Sequence, residues 1–109
     1  MRNAFSTRKP VLPMTASIGI LTIHLHIPGC SSLKEKRGRL SPLFTKLHKT
    51  FNLSVAEIDQ QDVWQNAVIA CALVSNDKAH TQRVLMKVQT WIDEAWRDVS
   101  VLDDTIELF

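Results

Sequence analysis

The sequence contains no tyrosine, only three glycines, and no apolar run that approaches the roughly 20 residues of a membrane-spanning helix. Even the apolar stretch from Ser17 to Ile27 is interrupted by Thr22, His24 and His26. The segment PGCSSLK has the wrong spacing for a Gly-rich phosphate loop. No string like GFGFV is present, and few aromatic side chains are available to stack on bases. These absences argue against a membrane protein, a phosphate-loop nucleotide-binding protein and an RNA-recognition motif.

The two cysteines, Cys30 and Cys71, do not have the spacing of a metal-binding motif. Cys71 lies in an apolar run, so we expect a small buried side chain there, with a Cys30–Cys71 disulfide as the less favoured alternative. The segment MRNAFSTRKPVLP lacks the apolar stretch of a secretory signal peptide. We therefore expect a cytoplasmic protein in which residues 1–15 are a flexible extension and residues 16–109 form a single domain.

Charge is concentrated in two segments of opposite sign, although the formal net charge is only +2. Residues 34–49 carry six basic side chains and one acid, whereas residues 93–109 carry six acids and one arginine. Residues 1–13 add three basic side chains and no acid, so the rest of the chain is close to neutral. The sequence lacks the global basic surface of many nucleic-acid-binding proteins, and a polyanion would have to bind locally.

Hydrophobic periodicity predicts six elements in the order β-α-β-β-α-β. The stretch SIGILTIHLHI alternates with the period of two that a strand has. Ser32 followed by Glu35 fits a capping box at the start of the first helix, and Asn76 or Asp77 is expected to cap the second. The segments LSVAEID, VWQNAVIACALVSN and VSVLDDTIELF supply the remaining strands.

This order predicts an α+β, ferredoxin-like fold with a four-stranded antiparallel sheet and two helices on one face. The first and third strands are expected in the centre because both of their faces are apolar. If the helices cover the side of Leu21, Ile23 and Leu25, the other side of the sheet is open. We expect this open sheet face to carry the following residues, the last from the second strand: Ile18, Ile20, Thr22, His24, His26 and Glu57.

Three segments, HIPGCSSLKEKR, FNLSVAEIDQQDVWQNA and VSNDKAH, together resemble the YlxP-like bacterial family, which has no assigned function. The resemblance extends over residues 18–109 and implies a ferredoxin-like fold. It implies no established activity or cofactor. Genes of this family often neighbour genes for translation and ribosome-maturation factors, which implies an RNA or ribosome context.

The basic start of the first helix is the leading candidate site. Lys34, Lys36, Arg37 and Arg39 follow a helix N-terminus, whose free amides can bind phosphate. We expect both lysines to be exposed, and Arg37 to be half-buried because it lies between two leucines of the apolar stripe. The alternative is a solvated helix face that binds nothing.

Other residues give weaker signals. Two histidines and two carboxylates have side chains that can bind a metal: His24, His26, Glu57 and Asp59. Their strands are not expected to be neighbours, so we predict a polar open sheet face or a partner contact instead of a metal site. Trp64 is expected to pack over a turn as a partly buried anchor, with stacking on a base as the alternative. Cys30 and the nearby serines have no adjacent base, and no catalytic residue is assigned.

We therefore expect a non-enzymatic binding module, without a cofactor, that contacts RNA or the ribosome through the basic start of its first helix. The alternative is a homo-oligomeric scaffold or ligand-sensing domain, a homodimer for example, that pairs through the open sheet face. A hydrolase or metalloenzyme is the least favoured of the three alternatives.

Overall fold

A computed structural model describes residues 16–109 of the protein, so the predicted flexible extension, residues 1–15, lies outside the described residues. The elements are β1 (Ser17–His26), α1 (Leu33–Phe51), β2 (Ser54–Asp59), β3 (Asn66–Ser75), α2 (Lys78–Ala95) and β4 (Ser100–Leu108). The strands form one antiparallel sheet in the order β2-β3-β1-β4. The predicted ferredoxin-like fold, with the first and third strands in the centre, is confirmed.

The core lies between the sheet and the two helices, and strand alternation selects its members. Leu21, Ile23 and Leu25 are buried, while Thr22 and His24 between them are half-buried. Leu21 pairs with Cys71 and Ile23 with Ile69 of β3, so the buried sides of both central strands face the same way. Each fully buried aliphatic side chain contributes about 1.5–3 kcal/mol. The helices complete this core with the following side chains: Leu40, Leu43, Leu47, Leu85, Val88 and Ile92.

Both helices begin at the predicted caps. The Ser32 side chain accepts a hydrogen bond from the Glu35 amide at 3.0 Å, and Asp77 accepts one from the Ala79 amide at 3.0 Å. These bonds satisfy amides that the first turn of a helix leaves without partners. Neither α1 nor α2 combines the length and the apolar composition that a membrane-spanning helix needs.

Gly19 allows α2 to lie directly on β1. A Cβ atom at this position would be 2.7 Å from Leu85 Cδ1 and would overlap Thr81 Cγ2. Gly38, in α1, has open space around it instead, with nothing within 4 Å of an added Cβ atom. The two glycines are therefore a matched pair, one required by packing and one not.

We expect Gly19→Ala to lower the free energy of unfolding by about 1–3 kcal/mol, because α2 must move to make room. Gly38→Ala should instead raise it by about 0.5–1 kcal/mol, since alanine is the better helix former. Urea denaturation followed by circular dichroism measures both changes. A Gly19→Ala variant as stable as the parent would contradict the close packing of α2 on β1.

Candidate functional site

Lys36 is buried, with 2% of its surface accessible, and its ammonium group is fully used inside the protein. Nζ lies 2.5 Å from Glu57 Oε2 and donates hydrogen bonds to the carbonyl oxygens of Gln60 at 2.8 Å and Val63 at 2.7 Å. An ammonium group has three N–H donors, and three acceptors surround this one. The prediction that Lys36 is exposed is wrong, and we remove Lys36 from the candidate phosphate ligands because its charge is balanced inside the protein.

The spacing of apolar residues along α1 indicates that Lys36 is buried. The buried residues of the helix are Lys36, Leu40, Leu43 and Leu47, which follow the i, i+4, i+7, i+11 pattern of one helical face. The apolar side chains around them also fit a stripe through Leu33, and that stripe leaves Lys36 at the surface. In this helix, the position of Lys36 in line with three buried leucines is the sequence feature that indicates its burial.

Glu57 lies on the helix-covered face of the sheet, so its predicted place on the open sheet face is wrong. In β2 it pairs with Ile69 of β3, whose side chain is buried under the helices. The preceding residue, Ala56, pairs with Ala70 on the opposite face. Apart from the ammonium of Lys36, Glu57 Oε2 has no polar partner among the described residues, so the ion pair with Lys36 is what balances its charge.

Arg39 also binds protein groups at most of its donors. Its guanidinium donates to both carboxylate oxygens of Asp98, at 2.9 and 3.1 Å, to the Asp98 carbonyl at 2.7 Å and to the Pro28 carbonyl at 2.6 Å. The side-chain hydrogen bond with Asp98 is the main cause that raises the pKa of Arg39 above its ordinary value. Arg39 thus ties α1 to the segments before α1 and before β4, and we remove it from the candidate phosphate ligands.

Lys34 and Arg37 are the exposed cations at the start of α1. Neither forms an ion pair with a carboxylate in the part of the chain that the structure describes. The prediction that Arg37 is half-buried is wrong, because the buried stripe runs through Lys36 and Leu40 and turns Arg37 to solvent. The candidate site at this helix start therefore shrinks from four basic residues to two.

Further exposed cations extend this charge over both helices. We define the basic helical surface as the exposed lysines and arginines of α1 and α2, none of them ion-paired among residues 16–109: Lys34, Arg37, Lys46, Lys49, Lys78, Arg83 and Lys87. Asp93 and Glu94 are exposed acids near the end of α2. The outer side of the helical layer is thus mainly positive.

The open sheet face carries an apolar strip. The structure places Ile18, Ile20, Thr22, His24 and His26 of β1 on this face, opposite these residues of β3: Val74, Ala72, Ala70, Val68 and Asn66. The cross-strand pair Ile18 and Val74 is 43% and 67% exposed. His24 pairs with Asp103 of β4, and its Nε2 atom is inaccessible and has no hydrogen-bond partner among the described residues.

Trp64 lies in the connection from β2 to β3 and is 50% exposed. It lines an open cavity of about 380 Å³ together with the following neighbours: Asp62, Val63, Gln65 and Asn66. Its indole therefore presents apolar surface to solvent instead of filling the core.

We find no group of metal ligands among the described residues, and both cysteines are buried. Within residues 16–109, no three His, Cys, Asp or Glu side chains are grouped as a metal site. Cys30 and Cys71 are free and buried, as the sequence predicted for Cys71. Burial raises the pKa of the Cys71 thiol to about 12, which keeps it protonated and unreactive at neutral pH.

The fold and these surfaces define a small ferredoxin-like α+β protein whose exposed features are charged and apolar patches. The chain belongs to the family described as "Protein of unknown function (DUF503)", whose model matches residues 18–106. It is 37% identical over 76 residues to the uncharacterized protein YlxP of Bacillus subtilis (strain 168), covering 70% of this chain and 83% of that relative. The resemblance to the YlxP-like family is confirmed, and neither description names an activity.

We expect Lys36→Met to lower the free energy of unfolding by about 3 kcal/mol, because it leaves the Glu57 carboxylate and two carbonyl groups without their donor. Lys34→Met is the matched control on the exposed side and should change stability by no more than about 0.5 kcal/mol. A Lys36→Met/Glu57→Met double variant should regain part of the loss, since it removes the unpaired charge. Chemical denaturation measures all three, and equal stability of the two single variants would contradict the burial of the ammonium.

Proposed function

We propose that the protein is a non-enzymatic module that binds the RNA backbone, in a ribosome or translation context, through its basic helical surface. The observation that carries this proposal is that the exposed cations of both helices have no carboxylate partner among the described residues. Cations that are not neutralised within the protein are free to contact phosphates. Lys34 and Arg37 are the members that remain from the predicted helix-start site.

The chemistry of this surface favours contact with phosphates over the reading of bases. Lysine and arginine side chains neutralise phosphates and release counterions, which gives affinity that depends strongly on salt but little on sequence. Trp91 of α2 packs against Phe51 and Trp96, so these aromatic rings are engaged within the protein instead of being free to stack on bases. The binding should therefore follow RNA shape and charge.

We expect Arg37→Glu to weaken binding to ribosomal RNA and to reduce the slope of log affinity against log salt by about 0.7, the contribution of one phosphate contact on a single strand. Arg97→Glu is the matched control, because Arg97 is an exposed arginine outside both helices and the charge change is the same. Filter binding over a series of salt concentrations measures both. Equal weakening by the two substitutions would show that the effect comes from net charge and not from the basic helical surface. Absence of RNA binding by the parent protein would reject the proposal.

A second candidate function is that of a homo-oligomeric scaffold that pairs through the open sheet face. The exposure of the neighbouring side chains Ile18 and Val74 favours it, because apolar strips on a sheet face are commonly covered by a partner. The occupant would be a second copy of the chain, which leaves the helical surface accessible in a dimer.

We expect Val74→Glu to dissociate such a dimer, because a carboxylate would be buried in the apolar interface. Met86→Glu is the control, since Met86 is 51% exposed but lies on α2. Sedimentation velocity at several protein concentrations distinguishes the variants. A parent protein that stays monomeric at high concentration would exclude the scaffold.

A further inference from the structure

The end of β2 and the connection from β2 to β3 expose large apolar side chains close together in the chain. Ile58, Val63 and Trp64 are 50%, 41% and 50% exposed. The register of β2 shifts between Glu57 and Asp59, so Ile58 lies at an irregularity of this edge strand. Single apolar residues are normal on a protein surface, whereas neighbouring ones are typical of contact sites. We refer to Ile58, Asp59, Asp62, Val63 and Trp64 as the loop surface.

The backbone that carries the loop surface is held at several points. Lys36 binds the carbonyl groups of Gln60 and Val63 from inside the protein, and the Val63 amide donates to Gln60 O at 3.0 Å. At the far end, the Ile27 amide donates to Gln65 O at 2.8 Å. Burying a lysine is costly and is not needed to connect two antiparallel strands. The result is a rigid loop, which loses little conformational entropy when it binds a partner.

The charge of this region is negative. Asp59 and Asp62 are exposed, and no lysine or arginine occurs between Lys49 and Lys78. The ammonium of Lys36 is directed at the loop from below, but Glu57 neutralises it. Asp62 and Trp64 line the same open cavity, so a carboxylate and an indole are available to one bound group. The carboxylate of Asp62 disfavours a phosphate beside it, whereas a cation is attracted by both the carboxylate and the indole.

We infer that the loop surface binds a protein segment that carries a lysine or arginine next to an apolar residue. The cationic group lies over the indole of Trp64 beside Asp62, and the apolar neighbour packs on Val63. This function is independent of RNA binding, since it uses the opposite charge and residues outside both helices. It also gives a reason for the buried lysine, which holds the loop in a binding-competent shape.

The test is selection of random peptides displayed on phage against the immobilised parent protein, followed by titration of the selected synthetic peptide. We expect enriched sequences with a lysine or arginine adjacent to an aliphatic or aromatic residue. Trp64→Ala should weaken the selected peptide about 30-fold, as loss of a central aromatic contact does. Asp62→Lys should weaken it as well and should reverse the response to salt. Circular dichroism confirms that each variant is folded.

Leu102→Ala is the matched control, because Leu102 is 56% exposed but belongs to β4. It should leave the affinity of the selected peptide unchanged. The inference is overturned if no peptide is enriched, if the enriched peptides lack basic residues, or if Trp64→Ala binds them as tightly as the parent. It is also overturned if single-stranded RNA displaces the selected peptide and shifts the indole N–H signal of Trp64 in an NMR spectrum. That outcome would assign the loop surface to base stacking.

Discussion

One constraint shapes the structure around α1: the ammonium group of Lys36 is buried, and its three N–H groups need acceptors within the protein. Glu57 therefore faces the covered side of the sheet, and the carbonyl groups of Gln60 and Val63 turn inward. The connection from β2 to β3 is drawn against the start of α1 as a consequence. This interaction specifies the shape of the loop more than it stabilises the fold, because the cost of desolvating two charged groups offsets much of their attraction.

The fold could be predicted because its signals are local. Alternation along β1 identifies the buried set of Leu21, Ile23 and Leu25, and the side chains of Ser32 and Asp77 mark the helix starts within a few residues of where they act. The element order then leaves few topologies, since connections are short and crossovers have one hand. None of these steps requires knowledge of which distant residues meet.

The candidate site could be predicted only in part, because the roles of its basic residues depend on distant partners. Lys34, Lys36, Arg37 and Arg39 are similar in type and adjacent in sequence, yet two are exposed and two bind protein groups. Asp98, the partner of Arg39, is 59 residues away in the chain. Their charge does not distinguish these four residues. Their positions around the helix do, because one side of α1 is buried and the other is exposed. The leucines that follow Lys36 indicate which side of α1 is buried. Several apolar residues of α1 also fit a second stripe, so the sequence alone does not decide between the two sides.

The first turns of α1 connect the two proposed binding surfaces. Lys36 points inward to the loop surface, and Lys34 and Arg37, on either side of it in the sequence, point outward to the basic helical surface. The two surfaces have opposite charge, so each disfavours the partner of the other. Salt screens the contacts of the exposed helical cations, while apolar burial on Trp64 and Val63 is far less sensitive to it. Under the two proposals, the protein holds a polyanion on its basic helical surface and a basic protein segment on its loop surface, and the opposite charges of the surfaces keep the two partners from competing.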